Sequence, residues 1–329
     1  MNDLNFQRYY FNFTLKTPLK LDFYSGSALR GVFGNALKKI SCMTKLPRCA
    51  DCFLYRTCPY TTVFEMPPPE QHQLQKFSQI PNPYIIEPPA LGAKTYQAGD
   101  TLTFSMVLIG SAIQQLPLII FAWQRAFAFG VGKYQSTALL KNVILDGDKP
   151  QIIYQPEQQA QVQDYQPFIP APLANTDQLT LKLITPLHLQ KHGKVLAHDM
   201  TAKDLLSALT RRYYLLQEFY AQHYQAPNFT QLAAHAQTIG IQHKLTWCHL
   251  QRYSHRQQQK MRFDGVLGQI TPTGDLQPFL PMLQAGQWLH LGNKTTFGLG
   301  HYQLQGMQAL PARASEARTP NHHNTTQKP

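Results

Sequence analysis

The sequence predicts an α+β protein made of two related domains. Each half of the 329-residue chain follows a similar plan of strand, helix and further strands, and each half has a glycine-rich turn late in its course, at 130–132 and at 298–300. The length and the 43% hydrophobic content are enough for two ordinary cores. We therefore assign a first domain to residues 1–150, a linker rich in proline and glutamine to 151–177, and a second domain to 178–310.

In the first half, residues 6–16 have the composition and rough alternation of a strand. Apolar residues at helical spacing predict a helix over Ser25–Ile40. Gly31 and Gly34 weaken that helix, unless a backbone or a ligand comes close to them. Strand character returns over Tyr96–Ile109, after a turn at Ala98-Gly99-Asp100. The later elements predicted in this half are a helix over Leu118–Phe129 and a strand over Ala138–Leu145.

The second half begins with a predicted strand over Leu179–Ile184. Asp199 and the residues after it form a plausible cap for a long helix over Ala202–Tyr224. On that helix, we expect Arg211 and Arg212 to lie on a solvated face. Short strands and glycine turns are predicted for most of 245–304. The tail at 311–329 has no apolar pattern and should be disordered.

The charge balance points to a polyanionic partner. Lys and Arg outnumber Asp and Glu by 30 to 18, which gives a formal net charge of +12. Such a field attracts polyanions, of which nucleic acid is the commonest. We expect no membrane contact, because the sequence has neither a basic helix with a broad apolar face nor an apolar run long enough to cross a bilayer. The start at 1–5 lacks the features of a signal peptide, so we expect a cytoplasmic location.

Four of the five cysteines lie in one short stretch, with the spacing C-x6-C-x2-C-x5-C. They are Cys42, Cys49, Cys52 and Cys58. Four thiolates suit tetrahedral zinc, and the inner x2 spacing is one that zinc favours. An iron–sulfur cluster uses the same ligands. Disulfides or free thiols are a further reading, although a cytosolic location disfavours disulfides. Four protein ligands would leave zinc no open position, so this pattern predicts a structural ion.

The segment from Trp247 to Gly300 carries the densest functional pattern. Its first part sets basic residues around Tyr253, and such a mixture suits RNA because cations hold phosphates while rings stack on bases. Its second part, 290–300, is rich in glycine, which lets backbone N–H groups approach an anion. The G-x4-G-K-[ST] order of a P-loop is absent.

Two pieces of this segment, Arg252–Gln257 and His290–Gly300, are the most specific in the chain. Further pieces are Ser27–Gly34, the four cysteines with Cys58–Tyr60, Pro83–Ile86, Gly130–Gly132, and Thr185–Leu187 ahead of Arg211–Tyr213. With these motifs the sequence resembles the CRISPR-associated precursor-crRNA endoribonucleases of the RAMP superfamily, in the branch that has a cysteine cluster. The resemblance implies tandem ferredoxin-like (RRM-like) domains, a cysteine-rich metal-binding insertion at 42–58, and a glycine-rich loop that helps to hold repeat RNA.

The resemblance also implies a reaction. The RNA 2′-hydroxyl attacks the adjacent phosphate of a CRISPR repeat and leaves a 2′,3′-cyclic phosphate and a 5′-hydroxyl, without a catalytic metal. Mature crRNA would pass to a multi-subunit effector complex. The alternative is a non-catalytic subunit of the same superfamily that holds crRNA. A zinc-stabilised DNA-binding regulator is a third reading, but the sequence has no helix-turn-helix or finger pattern.

The residues that would perform the chemistry are less certain from the motifs. Many relatives place a histidine at or after the first helix, whereas this chain has none before His72. We predict His255 as the general base because it lies between two arginines, and Tyr24 and Lys38 as first-helix candidates. The predicted RNA contacts are Arg30, Lys39, Arg252, Arg256, Lys260, Arg262, Lys294, Thr295, Thr296, Gly298 and Gly300.

Overall fold

The computed structural model describes residues 4–67, 80–158, 161–254 and 259–306. The predicted disorder of the tail at 311–329 lies outside these residues. The helices are α1 (Gly26–Ser41), α2 (Pro59–Phe64), α3 (Leu116–Phe129), α4 (Ala202–Tyr220), α5 (Phe229–Ala236) and α6 (Leu280–Leu289). The strands of the first half are β1 (Phe6–Leu15), β2 (Leu19–Leu21), β3 (Tyr84–Glu87), β4 (Lys94–Tyr96), β5 (Thr101–Ile109), β6 (Ala138–Leu145) and β7 (Gln151–Tyr154). Those of the second half are β8 (Thr180–Leu187), β9 (Gln190–Lys191), β10 (Lys194–Val195), β11 (Gly240–Cys248), β12 (Gln251–Ser254), β13 (Gln259–Arg262), β14 (Gly265–Thr273) and β15 (Tyr302–Gln305).

The first domain is a five-stranded antiparallel sheet in the order β3-β5-β1-β6-β7, covered on one face by α1 and α3. Alternation along β1 turns Tyr9, Phe11 and Phe13 toward the helices, where all three are fully buried. The Phe13 ring stacks on Phe127 of α3 at 4.1 Å between centroids. The path β1-α1-β3-β5-α3-β6 with this strand order is the ferredoxin-like arrangement.

Helix α1 owes its close packing to one of its glycines. A Cβ atom at Gly34 would overlap the ring of Phe64 in α2, whereas one at Gly31 would meet no atom within 4 Å. Gly34 therefore lets α2 lie directly on α1. The packing free energy of this contact offsets the low helix propensity of glycine. The predicted helix over Ser25–Ile40 is confirmed to within one residue at each end.

The second domain repeats the arrangement along β8-α4-β11-β14-α6-β15. Its sheet has the strand order β11-β14-β8-β15, with every neighbouring pair antiparallel. Helix α4 begins with a capping box in which Thr201 and Asp204 bond reciprocally to each other's backbone N–H. Two tandem ferredoxin-like domains are thus confirmed.

The turn predicted at 98–100 ahead of β5 is confirmed, with Gly99 at a φ of 91°. Two other predicted elements differ from the structure. The strands expected over 245–304 are interrupted by α6, whose Pro281 is tolerated in the first helical turn. Helix α4 ends at Tyr220 rather than Tyr224.

The two domains share an apolar contact. Ile85, Val107 and Ile109 belong to strands of the first sheet, yet they are buried in the core of the second domain. The contact therefore places β3 and β5 against the end of α6 and the loop that follows it. Within the described residues, no helix is long and apolar enough to cross a membrane.

Candidate nucleic-acid interface

The glycine-rich loop runs from the end of α6 to the start of β15, and its backbone is left-handed at several positions. His290 and Lys294 adopt φ values of 57° and 60°, and three glycines of the loop share the positive sign. At Gly298, a Cβ atom would lie 2.6 Å from Cδ of Pro88 in the first domain. Glycine is therefore required at this position for both its φ and its lack of a side chain.

Strand β8 holds the loop from one side. The Thr185 hydroxyl donates to the carbonyl oxygen of Gly298 at 2.7 Å and accepts from the backbone N–H of His301 at 2.9 Å. The Gly300 N–H donates to the oxygen of Pro186, and the Asn293 N–H to that of His188. These bonds fix the loop against β8.

Arg212 holds the start of the loop from α4. Its Nε donates to the carbonyl oxygens of Leu289 and His290, at 2.6 and 2.9 Å. The guanidinium group thus satisfies the last carbonyls of α6 and lies at the negative end of that helix. Desolvation lowers the pKa of Arg212 to about 10, so it stays charged at neutral pH. The expectation that it lies on a solvated face is wrong, because α6 covers this side of α4.

A buried ionic network joins the loop to the first domain. Arg8 of β1 donates through two nitrogens to the two carboxylate oxygens of Glu87 in β3, each at 2.8 Å. It also reaches Asp146 at 3.1 Å and the carbonyl oxygen of Gln287 at 2.8 Å. On the other side of the same carboxylate, Nε2 of His290 lies 2.9 Å from Oε1 of Glu87. The loop is therefore tied to the edge strand of the first sheet.

The charges of this network are set by one another. Burial raises the pKa of Glu87, but Arg8 and the histidines outweigh that effect and hold the pKa well below its usual value. Burial lowers the pKa of His290, and it lowers that of His301 to about 3. The two imidazole rings stack in parallel at 4.8 Å. A carboxylate beside largely neutral histidines and one arginine gives a stable, nearly neutral group.

Glu87, His290 and His301 could hold a metal ion as judged by distance, since one ligand atom from each lies within 4.8 Å of the others. The hydrogen bonds argue against it. Both oxygens of Glu87 already accept from the Arg8 guanidinium, which occupies the position of a cation beside the carboxylate. We therefore describe the group as a junction between the domains.

A small third core brings the start of α1 to the same loop. Leu250 and Phe263 from the base of the β12–β13 hairpin pack on Leu299 of the loop, and Tyr24 and Phe297 lie against them. The Tyr24 hydroxyl donates to the carbonyl oxygen of Phe297. Burial raises the pKa of Tyr24 above its usual value. This geometry favours a positioning role for Tyr24 over proton transfer.

Arg30 lies beside this core between two aromatic rings. Its Cζ is 4.3 Å from the ring centroid of Phe64 in α2 and 4.6 Å from that of Phe297 in the loop. Cation–π contacts with these two rings restrict the orientation of the guanidinium, whose Nε is buried without a hydrogen-bond partner among the described residues. Arg30 therefore lies where α1, α2 and the glycine-rich loop meet.

Lys294 connects the loop to the hairpin. Its ammonium donates to the carbonyl oxygen of Arg262 at 2.8 Å and lies 4.5 Å from the ring centroid of Phe263. Arg262 itself is exposed at the end of β13. Arg252 and Lys260 belong to the two strands of the hairpin, in β12 and β13. The predicted residues His255 and Arg256 lie outside the described residues.

The structure brings together some of the predicted site residues and separates others. Tyr24, Arg30, Arg262, Lys294, Thr295, Thr296, Gly298 and Gly300 all belong to the region around the loop. Lys38 lies elsewhere, with its ammonium 5.6 Å from the Tyr60 ring centroid, in the lining of the cysteine cavity. Lys39 is exposed near the C-terminal end of the same helix. Lys38 thus lies near the C-terminal end of α1, whereas Tyr24 precedes the start of the same helix.

Sequence reasoning did not select His249. Its side chain is 80% exposed, and Nδ1 lies 3.7 Å from Oδ1 of Asp264 at the base of the hairpin. The Trp247 indole donates to the same nitrogen at 3.1 Å. The only sequence signal was its place just ahead of the basic segment. Its exposure and its neighbouring carboxylate make it a candidate for proton transfer.

The four cysteines of the insertion line one small apolar cavity of about 20 Å³, and none of them forms a disulfide. Cys49 begins a short 3-10 turn that is closed by the N–H of Cys52 bonding to the Cys49 oxygen at 3.0 Å. Burial raises the pKa of Cys49, partly opposed by Lys38. Within the described residues, no three of these sulfur atoms all lie within 4.8 Å of one another, as the ligand atoms of Glu87, His290 and His301 do.

Two family models match the chain. Residues 181–302 match CRISPR-associated endoribonuclease Cas6, and residues 4–166 match a model described as an N-terminal domain. No curated protein matches the sequence. These two matches cover most of both ferredoxin-like domains.

Solved structures of Cas6 proteins are similar in fold. A partial Cas6-RT-Cas1–Cas2 complex gives a TM-score of 0.53 at 14% identity, over 93% of this chain and 46% of that chain. A Cas6 product complex gives 0.53 at 12% identity, over 92% and 99%. Thermus thermophilus Cas6 gives 0.50 at 13% identity, over 92% and 99%. The chain thus spans less than half of the Cas6-RT-Cas1–Cas2 chain and nearly all of the other two.

At these identities, the structural likeness shows a shared fold, and the family model of the second domain adds the sequence relationship. The second domain thus matches the CRISPR-associated endoribonuclease Cas6 model over residues 181–302, and the chain as a whole has a fold similar to that of Cas6 proteins.

Proposed function

We propose that the protein binds CRISPR repeat RNA and cleaves precursor crRNA by attack of a 2′-hydroxyl, giving a 2′,3′-cyclic phosphate without a catalytic metal. The observation that supports this best is the convergence of Arg30, Lys294 and the glycine-rich loop at the junction of the two domains. Cations and backbone N–H groups at one place can bind a phosphate and stabilise the charge that develops on it. The mature product would pass to a multi-subunit effector complex in the cytoplasm.

The general base of this reaction is proposed to be a histidine of the hairpin region. His255, predicted from the sequence, and His249, beside Asp264, are the two candidates. His249 precedes Leu250, which packs with Phe263 and Leu299 of the loop, whereas His255 is a candidate from the sequence alone. Tyr24 is a weaker candidate, because its hydroxyl is already bonded to Phe297.

Cleavage of labelled repeat RNA in EDTA, with analysis of the product ends, tests the proposal. We expect one specific cut with a cyclic phosphate end and no loss of rate on chelation. His249→Ala and His255→Ala distinguish the two candidate bases. The variant that lacks the true base should show a single-turnover cleavage rate lower by about 10²- to 10⁴-fold. His243→Ala, on β11, is the matched control. Retention of the full rate in both variants would remove both assignments.

A non-catalytic crRNA-binding subunit is the second candidate function. It is favoured by the first helix, which has no histidine, and by the buried state of the Tyr24 hydroxyl at its start. The same assay distinguishes the two functions. Tight and specific binding of repeat RNA without any cut, with both histidines intact, would support the subunit and contradict the nuclease.

We further propose that the four cysteines bind one structural zinc ion, with an iron–sulfur cluster as the alternative. The support is their arrangement around one apolar cavity and the short turn between Cys49 and Cys52. Metal analysis should give one zinc per chain, and Cys49→Ser with Cys52→Ser should abolish it. Cys248→Ser, outside the insertion, should keep the metal. Iron with acid-labile sulfide would identify the cluster instead.

A further inference from the structure

The helix-covered side of the first domain has an unusual charge distribution. Residues 23–50 and 116–145, which include α1 and α3, contain eight basic residues and no acidic residue. The whole chain has 18 acidic residues, yet these two ranges have none. No acidic side chain within them therefore neutralises the positive charge of the helices. A surface of one sign attracts a partner of the other sign.

The outer face of α3 combines this charge with exposed rings. Phe121, Arg125 and Phe129 follow one another at intervals of four residues, so they form one stripe about 12 Å long on the helix surface. Phe121 is 43% exposed and Phe129 is 54% exposed. The Arg125 guanidinium lies 5.1 Å from the Phe121 centroid. The stripe therefore alternates stacking surface with charge.

The stripe continues past the end of α3. Tyr134 is 66% exposed in the turn that follows, and the Lys133 ammonium lies 5.9 Å from its ring centroid. The other faces of Phe121 and Tyr134 are not covered by these cations. A third cation–ring pair includes Phe129 itself, because the Lys39 ammonium of α1 lies 4.6 Å from the Phe129 ring centroid.

The nature of the exposed residues favours one kind of partner. Base-stacking platforms of RNA-binding domains combine cations that track the backbone with rings that stack on bases. In the second domain the outward positions of the sheet are polar, as at Lys182, Lys244, Gln269 and Gln303. Aromatic residues and arginine are enriched in protein interfaces as well, but lysine is depleted there, so Lys39 and Lys133 beside the rings favour RNA over a protein partner.

We propose that the α3 face binds a single-stranded RNA segment, whose bases stack on the rings and whose phosphates contact the cations. This face is formed by Phe121, Arg125, Phe129, Lys133 and Tyr134. The proposal rests on the proposed function in one respect. The bound RNA segment would be the unpaired flank of a precursor crRNA whose repeat is bound at the domain junction. The face is separate from the glycine-rich loop, so the two contacts can be tested independently.

Fluorescence anisotropy tests the proposal with three RNAs: the repeat alone, the repeat extended by uridines at both ends, and a uridine 20-mer. In the wild-type protein, the extension should tighten binding at least tenfold. Phe121→Ser with Phe129→Ser should remove that gain and weaken the uridine 20-mer equally, because stacking contributes about 1–3 kcal/mol per base. Arg125→Gln should lower the salt slope by about 0.7, the loss of one phosphate contact.

Phe229→Ser in α5 of the second domain is the matched control, since Phe229 is also 43% exposed on a helix. It should leave all three affinities unchanged. Circular dichroism and melting temperature of each variant establish that the fold is kept.

Three results would overturn the proposal. The first is equal affinity of wild type and the double serine variant for the uridine 20-mer. The second is no gain from the extension in the wild-type protein. The third is a dimer that the double variant converts to a monomer with unchanged RNA binding, which would make the face a protein interface. A failure of the proposed function looks different: the repeat RNA would be neither bound specifically nor cut, while the uridine 20-mer still reports on the α3 face.

Discussion

The Nε2 atom of His290 lies 2.9 Å from Oε1 of Glu87, and this contact joins the glycine-rich loop of the second domain to the edge strand of the first. Both groups are buried, and Arg8 binds the same carboxylate from the other side. The shape of the loop therefore depends on residues that are more than 200 positions away in the sequence.

Replacement of Glu87 should be strongly destabilising. Glu87→Gln leaves the Arg8 guanidinium buried beside a neutral amide, and breaking a buried pair from one side costs about 3–5 kcal/mol. Urea unfolding measures this loss. Asp51→Asn is the control, because it removes only the exposed pair with Arg48 at 3.6 Å and should cost less than about 1 kcal/mol. Equal effects of the two changes would contradict the role of the junction.

The buried histidines should make stability depend on pH. The pKa of His301 is about 3 in the folded protein and near 6.5 when unfolded, so protons bind the unfolded chain preferentially between these values. The unfolding free energy should therefore be full above pH 6.5 and fall as the pH drops toward 3, by at most about 1.4 kcal/mol per pH unit for this group. His301→Gln should flatten the slope in urea titrations between pH 6.5 and 5. An unchanged slope would show that His301 is accessible to protons.

Gly298→Ala should displace the loop. Residue 298 has a φ of 89°, so an alanine there would be strained. Its Cβ would also lie 2.6 Å from Cδ of Pro88, which is a steric overlap. Gly99→Ala is the control, because residue 99 has a φ of 91° but a Cβ there would meet no atom within 4 Å. This variant has only the backbone strain, which costs about 1–2 kcal/mol. We expect Gly298→Ala to weaken repeat RNA binding at least tenfold and Gly99→Ala to leave it unchanged. Equal affinities in a binding titration would mean that the overlap is relieved without moving the loop.

Tyr24→Phe tests whether the tyrosine positions or reacts. The change removes one hydrogen bond to a part-buried carbonyl, which costs about 1–3 kcal/mol of stability. Since the hydroxyl is buried and committed to Phe297, the single-turnover cleavage rate should fall less than tenfold. A fall of a hundredfold or more, with the protein still folded, would restore Tyr24 as a proton-transfer group.

Lys294→Gln should weaken RNA binding uniformly across sequences and lower the salt slope by about one. The reason is that the ammonium adds one positive charge between the loop and the hairpin, where RNA is proposed to bind. Lys191→Gln is the control, because Lys191 is paired with Asp204 at 2.8 Å on another surface. Anisotropy titrations at several salt concentrations would detect the difference. An unchanged slope in Lys294→Gln would place the phosphates elsewhere.

The sequence predicted best the elements whose pattern is local. The helix over Ser25–Ile40 and the strand over Ala138–Leu145 were found because apolar spacing reports directly on the buried face. Helix α6 was missed because Pro281 and Gly286 read as turn residues, although the first occupies a position that tolerates proline and the second packs against Tyr302. The motif at 290–300 was identified as a loop correctly, since its glycines need positive φ.

The junction could not be predicted in the same way. Arg8 and Glu87 lie in strands with no distinguishing pattern, and only the paired fold brings them to His290. Arg212 was misjudged for a related reason, because the helix that covers it is far away in the sequence. Long-range pairing is set by topology, and one sequence shows topology only through its motifs.

The position of Arg30 has a consequence for the cysteine insertion. Helix α2 begins at Pro59, directly after Cys58, and carries Phe64 onto one face of the Arg30 guanidinium, while Phe297 of the loop lies on the other. Loss of order at Cys58 would move Phe64 away from the Arg30 guanidinium. The orientation of Arg30 would change, and its contact with Phe297 would transmit that change to the loop. If the proposed zinc ion orders Cys58, its removal should weaken repeat binding before it changes the secondary structure of either domain.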